Sequence, residues 1–163
     1  MLDMFQILEA FDKYKSSMEK IGKAVTVHSS NTLLDLLRLF EIALFCYITG
    51  NNDMHLKNFS MILNNEDWIL APAYDLLNVN LHIPEDTEEM ALTIGGKRRK
   101  LTKLDFINLG LSFQLTEKQI INTFKRFVKA EKKMKKEIES SFLSPKNQMK
   151  YTDLLDNRLL LFK

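Results

Sequence analysis

The sequence predicts a mainly α fold with two small β-hairpins, an α+β domain, and three observations indicate it. Apolar residues at helical spacing follow Ser or Thr capping motifs in the first and last thirds of the chain. Between those thirds the apolar spacing shortens to two residues, which is typical of strands. The 163 residues are 45% apolar and 27% charged, so we expect a single domain over residues 1–163 with its own core.

The first third of the chain predicts helices. Apolar residues at helical spacing within residues 2–11 predict the first, and a capping box of Ser16 and Glu19 predicts the start of the second. The long third helix is expected to begin after the polar residues 29–31 and to end at Gly50, since glycine is common at helix C-termini.

The middle of the chain predicts two β-hairpins, and the last third predicts helices. The first hairpin joins the apolar runs 59–63 and 68–71 through the turn residues 64–67. The second turns at Gly95 and Gly96, which tolerate the positive φ angles of a tight primed turn. The helices that follow start at three capping signals: Thr102 with Asp105, Thr116 with Gln119, and Ser144 before Pro145.

Composition and charge exclude several classes of protein. The net charge of +2 is too small to mark the whole chain as a nucleic-acid or membrane binder. Charged residues interrupt the most apolar run, residues 33–48, which favours a core helix over a membrane span. Cys46 and three scattered histidines do not form a zinc-binding set, and a lone cysteine fits a reducing, cytoplasmic compartment.

The most informative segment is GNNDMHLKNFS, residues 50–60, which follows the long third predicted helix. Asp53 and Asn58 have the D-x-x-x-x-N spacing of a kinase catalytic loop, in which the aspartate accepts the proton of the attacking hydroxyl and the asparagine binds Mg²⁺. A second carboxylate, Asp75, follows the first hairpin. Because the open ends of a hairpin lie about 5 Å apart, we expect Asn58 and Asp75 to share the metal ion.

Two further residues of this segment, His55 and Lys57, have candidate roles. Lys57 is expected to neutralise charge that develops on the transferred phosphate, and His55 to hydrogen-bond Asp53 or a nearby carbonyl. Each residue taken alone also has a structural interpretation, such as Asp53 in a turn or Asp75 as a helix N-cap. The ordered combination of acid, amide, hairpin, proline and second acid favours catalysis.

The chain resembles the HipA-like serine/threonine kinases in two active-site segments, TGNNDMHLKNFSMIL and LAPAYDLLNV. Members of that family include toxins of bacterial type II toxin–antitoxin systems. The resemblance extends to the flanking stretches MLDMFQ, DKYKSSMEKIGKAV and ALTIGGKRRKLTKLDF, so it covers essentially the whole chain. It implies the helical C-lobe of a HipA-like, protein-kinase-like fold.

The resemblance also implies roles for individual residues. Asp53 is implied as the catalytic base, and Asn58 and Asp75 are implied as Mg²⁺ ligands. The implied reaction is phosphoryl transfer from ATP to a serine or threonine hydroxyl of a cytoplasmic protein, with an aminoacyl-tRNA synthetase as a precedent substrate. The residues implied at or beside ATP are His55, Leu56, Lys57, Asn58, Tyr74 and Asp75.

The chain departs from the family pattern because it carries no recognisable N-terminal lobe. It has neither a glycine-rich loop between a strand and a helix nor a lysine in a V-A-x-K context. We therefore expect a C-terminal lobe, either a fragment or a separately encoded half, that binds ATP weakly and is inactive without an N-terminal lobe in cis or in trans. An antitoxin is an expected protein partner, with DNA contacted only indirectly.

A non-catalytic binding module is the alternative function. Basic residues cluster at the second hairpin and on the helix after Thr116, where they would contact DNA phosphates or an acidic partner such as an antitoxin. Glutamates on the same helix favour a solvated helix face instead. The basic residues are Lys97, Arg98, Arg99, Lys100, Lys125, Arg126, Lys129, Lys132, Lys133, Lys135 and Lys136.

Overall fold

The structure, a computed structural model, describes residues 1–81, 83 and 87–163. The helices are α1 (Met4–Ile7), α2 (Met18–His28), α3 (Thr32–Thr49), α4 (Lys103–Ser112), α5 (Glu117–Glu139) and α6 (Pro145–Leu160). The strands are β1 (Leu2–Asp3), β2 (Ser60–Asn64) and β3 (Asp67–Leu70), and a short 3₁₀ helix (Leu56–Asn58) precedes β2. The predicted fold class, mainly α with a small β component, is confirmed.

The sheet has the strand order β1–β2–β3, and both neighbouring pairs are antiparallel. β2 and β3 form the predicted first hairpin, with Met61 opposite Leu70 and Asn64 opposite Asp67. Asn65 takes a left-handed φ of 48° in the turn, a conformation that asparagine adopts more readily than most residues. The hairpin therefore returns the end of β3 to the start of β2.

The predicted helix over residues 2–11 is wrong for most of its length. Leu2 and Asp3 instead pair with β2 and form the edge strand β1. The Asp3 side chain then caps the single turn of α1, and beyond it Glu9 has a left-handed φ of 49°, which a right-handed helix does not accommodate. Pairing with β2 joins distant parts of the chain, so the local apolar spacing does not indicate it.

α2 begins one residue later than predicted. Ser17, not Ser16, is the N-cap, and its hydroxyl accepts a backbone amide of the first turn at 3.3 Å. The Ser16 carbonyl instead accepts from the Thr93 amide at 3.3 Å, and the Glu19 carboxylate accepts from the Gly95 amide at 2.8 Å. Both predicted capping residues therefore bind the turn at residues 93–97 rather than their own helix.

The second predicted hairpin is reduced to its turn. Gly95 and Gly96 have φ angles of 56° and 79°, as predicted for a primed turn. Ile94 and Lys97 close the turn with backbone hydrogen bonds of 2.8 and 3.0 Å, and no longer ladder follows in the described residues. Thr93 forms a β-bridge with Ser17 at the start of α2, and not with a second strand of the predicted hairpin.

The predicted starts of the last three helices are confirmed. Thr102 and Thr116 form capping boxes with Asp105 and Gln119, and Ser144 caps α6 ahead of a proline in its first turn. These caps satisfy backbone amides that have no partner inside their own helix. α6 then packs against both α3 and α5.

α3 is the central helix, and it leads directly to the candidate site. Its apolar face is fully buried and contacts α2, α4, α6 and β3. Gly50 ends it in the left-handed conformation, at a φ of 75°, as predicted. Within residues 1–81, 83 and 87–163, no helix is both long enough and apolar enough to cross a membrane.

A buried carboxylate joins the start of α3 to the hairpin. The Asp35 side chain has 0% exposure, and its oxygens accept from the Leu70 amide at 2.8 Å, the Ser29 hydroxyl at 2.7 Å and the Arg38 guanidinium at 3.3 Å. The contact with Leu70 fixes the end of β3 against α3. The segment that leads from β3 to Asp75 therefore starts from a defined position.

Candidate active site

The loop between α3 and β2 is held by two buried asparagines. Asn51 donates from Nδ2 to the Asp75 carbonyl at 3.2 Å, and its own amide donates to the Cys46 carbonyl at 2.9 Å. Asn52 donates from Nδ2 to the Glu88 carbonyl at 3.0 Å. The two asparagines thus fix the loop against the chain segments that follow the hairpin, including the backbone of Asp75.

Asp53, the predicted base, follows these asparagines and is partly exposed. Its Oδ1 accepts a hydrogen bond of 2.7 Å from the Tyr14 hydroxyl. That hydrogen bond to a carboxylate, with burial and the negative charge of Asp53, raises the pKa of Tyr14 to about 12. The Tyr14 hydroxyl therefore stays protonated and continues to donate at neutral pH.

Asn58 and Asp75, the two predicted metal ligands, are in direct contact. Asn58 Nδ2 donates to Asp75 Oδ2 at 2.5 Å, and Asn58 Oδ1 accepts from the His55 amide at 3.1 Å. Asp75 has a left-handed φ of 55°, a conformation uncommon for residues other than glycine. The expected meeting of these two residues across the hairpin is therefore present in the structure.

The chemistry of these two side chains fits a hard cation. Carboxylate and amide oxygens are the ligands that Mg²⁺ prefers, and Mg²⁺ sites often use one or two protein ligands beside substrate phosphates and water. In the structure Asn58 turns its amide nitrogen toward Asp75, so two-oxygen ligation requires the carboxamide to reorient. No group of three or more His, Cys, Asp or Glu side chains within the described residues is arranged to hold a metal ion.

His55 lies beside the site, and its partner differs from the expected Asp53 or carbonyl. The residue is 8% exposed, and Nε2 lies 2.8 Å from the Lys13 ammonium. Burial, followed by the Lys13 charge, lowers the pKa of His55 below its usual value. Because an ammonium only donates, this contact requires Nε2 to accept, which it does in the neutral ring.

The structure places the other predicted ATP-side residues as follows. Leu56 is fully buried in the core. The Lys57 ammonium lies 5.0 Å from the ring centroid of Phe5, and no described contact joins it to Asp53, Asn58 or Asp75. Roles for these residues beside ATP stay predictions.

Tyr74 links the two sides of the hairpin's open end. Its hydroxyl donates to the Lys57 carbonyl at 2.8 Å and lies 2.5 Å from the Ser60 hydroxyl. These contacts hold the segment before Asp75 against the start of β2. Its predicted place beside ATP also stays a prediction.

Four residues that hold the site were not predicted from the sequence: Lys13, Tyr14, Asn51 and Asn52. Lys13 and Tyr14 contact the loop from a segment 42 and 39 residues earlier in the chain. No local spacing signals such a pairing. Asn51 lies inside the segment GNNDMHLKNFS. Its place between the glycine that ends α3 and the candidate base Asp53 is the signal that could have identified it.

Comparison with known proteins gives the family. The family model described as "HipA-like C-terminal domain" matches residues 1–135. The chain is therefore a member of the HipA-like C-terminal domain family. Two curated relatives are "Putative kinase Y4dM" of Sinorhizobium fredii, 31% identical over 131 residues, and "Putative kinase" of Haemophilus influenzae, 35% identical over 79 residues.

These relatives are much longer than this chain. The match covers 77% of this chain and 32% of the Sinorhizobium protein, and 48% of this chain and 23% of the Haemophilus protein. A solved structure of Shewanella oneidensis MR-1 HipA, in complex with HipB and its operator DNA, matches with a TM-score of 0.82 and 18% identity. That match covers 97% of this chain and 42% of the HipA chain, and it shows that the two share a fold.

Proposed function

We propose that this chain is the catalytic C-terminal lobe of an ATP-dependent serine/threonine protein kinase of the toxin type. The observation that carries the proposal is the contact of Asn58 with Asp75 at 2.5 Å, with Asp53 on the same loop as Asn58. The two candidate ligands thus meet at the open end of the hairpin, and the candidate base lies five residues before one of them. The kinase relatives and the family membership support the same conclusion.

In the proposed reaction Asp53 accepts the proton of a serine or threonine hydroxyl as its oxygen forms a bond to the γ-phosphorus of ATP. The bond from that phosphorus to the bridging oxygen breaks, and ADP leaves with the electron pair. Asn58 and Asp75 would hold Mg²⁺, which supplies charge neutralisation on the phosphates when bound. Asn51 and Tyr74 keep the loop and the Asp75 segment in place through their backbone contacts.

The surface that binds adenine is proposed to come from an N-terminal lobe, in the same chain or in a second one. This chain spans about a third or less of the length of the curated relatives it matches. Without such a lobe we expect weak ATP binding and little or no turnover. A cytoplasmic protein, with an aminoacyl-tRNA synthetase as one candidate, is the proposed phosphate acceptor.

An antitoxin is the proposed regulatory partner. The support is the Shewanella HipA structure, which holds HipB and operator DNA. By this proposal DNA is contacted through the antitoxin, and direct DNA binding by this chain is the second candidate function. The basic residues argue against that candidate, because several are paired with carboxylates: Lys97 with Asp105, Arg98 with Glu88, Arg126 with Glu41, and Lys135 with Glu131 and Asp156.

The metal assignment is tested by Mg²⁺-dependent ATP binding to the protein assembled with its N-terminal lobe. Asp75→Asn is expected to lower affinity for ATP in Mg²⁺ by about tenfold or more while affinity in EDTA changes little, because a carboxylate ligand is lost. Asp67→Asn, at an exposed carboxylate on the same hairpin, is the matched control and should bind like the wild type. Equal loss of affinity with and without Mg²⁺ would count against metal ligation by Asp75.

A further inference from the structure

A short segment before α2, residues 12–15, packs against the loop that carries the proposed base. The Lys13 carbonyl accepts from the Leu56 amide at 3.1 Å, and the Lys13 ammonium lies 2.8 Å from His55 Nε2. Tyr14 donates to Asp53 Oδ1 at 2.7 Å. The backbone and side chains of residues 12–15 thus contact the loop at Asp53, His55 and Leu56.

Other contacts fix the Tyr14 side chain itself. Its ring meets the His55 ring edge-on, with centroids 5.1 Å apart. The Asp12 carboxylate accepts from the Tyr14 amide at 2.9 Å, and the Arg98 guanidinium donates to the Tyr14 carbonyl. The hydroxyl is therefore presented to Asp53 by a segment that is held at both its backbone and its ring.

We propose that Tyr14 is a positioning residue that orients the Asp53 carboxylate for proton transfer. A free carboxylate rotates about its terminal bond, and a general base must lie within hydrogen-bond reach of the proton it accepts. The Tyr14 hydroxyl holds Oδ1, which leaves Oδ2 for the acceptor hydroxyl. Within the described residues, Asp53 Oδ2 accepts no hydrogen bond. The role rests on the kinase function proposed above.

The contact can be tested on this chain alone, without ATP or a second lobe. The pKa of Tyr14, about 12, is raised chiefly by its hydrogen bond to Asp53 and is expected to fall toward the ordinary value of 10.0 in Asp53→Asn. NMR of the protein with ¹³C-labelled tyrosine, titrated from neutral to alkaline pH, follows Tyr14, which is assigned by its loss in Tyr14→Phe. An unchanged Tyr14 titration in Asp53→Asn would overturn the contact and the role.

The positioning role is tested in the protein assembled with its N-terminal lobe. Tyr14→Phe keeps the ring and its contact with His55, and removes only the hydroxyl. We expect kcat to fall about 10- to 100-fold, the scale of a misplaced catalytic group, with the KM for ATP unchanged and only a small fall in melting temperature from the lost hydrogen bond. Tyr151→Phe, on α6, is the matched control and is expected to retain wild-type kcat.

Two further outcomes separate the inference from the function on which it rests. An active wild type, an inactive Asp53→Asn and a fully active Tyr14→Phe would overturn the positioning role and leave the kinase function standing. An assembled wild type that transfers no phosphate would overturn the kinase function, and the positioning role with it. The Tyr14 titration would still report whether the contact with Asp53 exists.

Discussion

At the scale of single residues, Asn58 shows why an amide serves the site better than an acid. Its Oδ1 accepts from the His55 amide while its Nδ2 donates to Asp75 Oδ2. An aspartate at this position would bring two carboxylates together at about hydrogen-bond distance, and one of them would have to bind a proton. The carboxamide instead joins the loop to Asp75 without that repulsion.

The buried His55 ring makes stability depend on pH. Its pKa is lowered in the folded protein, so the unfolded chain binds a proton more readily. The contribution of the neutral His55 ring to stability is therefore complete above the unfolded pKa of about 6.5. It is lost as the pH falls from there through the lower pKa of the folded protein. The free energy of unfolding, measured with urea, is expected to fall more between pH 7.5 and pH 5.5 for the wild type than for His55→Gln.

His28→Gln is the control for this prediction, because His28 is exposed at the end of α2. It should lose as much stability on acidification as the wild type does. If the free energy of unfolding depends on pH equally in His55→Gln and in the wild type, protonation of the His55 ring does not destabilise the fold.

At the scale of elements, the buried Asp35 carboxylate holds the hairpin against α3. Asp35→Ala removes the acceptor of the Leu70 amide and leaves that buried N–H without its partner. We expect a loss of about 3 kcal/mol in the free energy of unfolding, measured by urea titration.

Arg38→Ala is the comparison for Asp35→Ala, since Arg38 forms the half-exposed side of the same ion pair at 3.3 Å. In this variant the buried Asp35 carboxylate loses its counter-ion but keeps its hydrogen bonds from the Leu70 amide and the Ser29 hydroxyl, so the expected loss is about 1–2 kcal/mol, smaller than for Asp35→Ala. Similar losses for both variants would show that Asp35 stabilises the fold through the Arg38 guanidinium and not through its hydrogen bond with the Leu70 amide of β3.

The elements also show which features the sequence can predict. Thr102, Thr116 and Ser144 are confirmed as helix starts because their caps form within four residues of the chain. Ser16 and Glu19 bind the distant turn at residues 93–97 instead, and their predicted cap does not form. Residues 2–11 are not one helix, because Leu2 and Asp3 pair with a strand far along the sequence. Helical spacing carries no information about such a partner.

The same distinction applies to the candidate site. The meeting of Asn58 and Asp75 followed from the hairpin between them, which turn residues and strand spacing predict. The contacts of Lys13 and Tyr14 with the loop depend on how the segment before α2 packs, and that packing is set by the whole fold. Only a structure could show those two residues at the site.

At the scale of the whole molecule, charge is distributed as paired and solvated groups. Carboxylates pair with several of the basic side chains, and the net charge is only +2. We expect this chain to show no binding to duplex DNA by fluorescence anisotropy at about 50 mM salt, where phosphate contacts are strong.

Salt-dependent binding to duplex DNA would contradict this expectation. Binding whose affinity falls steeply as salt rises, and which is lost in the double variant Lys132→Glu and Lys133→Glu, would make the exposed face of α5 a DNA-binding surface. It would also favour the binding-module function over the kinase.

The kinase function is tested most directly by phosphate transfer from γ-labelled ATP in Mg²⁺, with this chain assembled with the proposed N-terminal lobe. We expect Asp53→Asn to lower the rate of transfer by about 100-fold or more, since general-base catalysis contributes on that scale. Asp153→Asn, an exposed carboxylate on α6, should retain the wild-type rate. Transfer by Asp53→Asn at the wild-type rate would contradict the assignment of Asp53 as the base of this site.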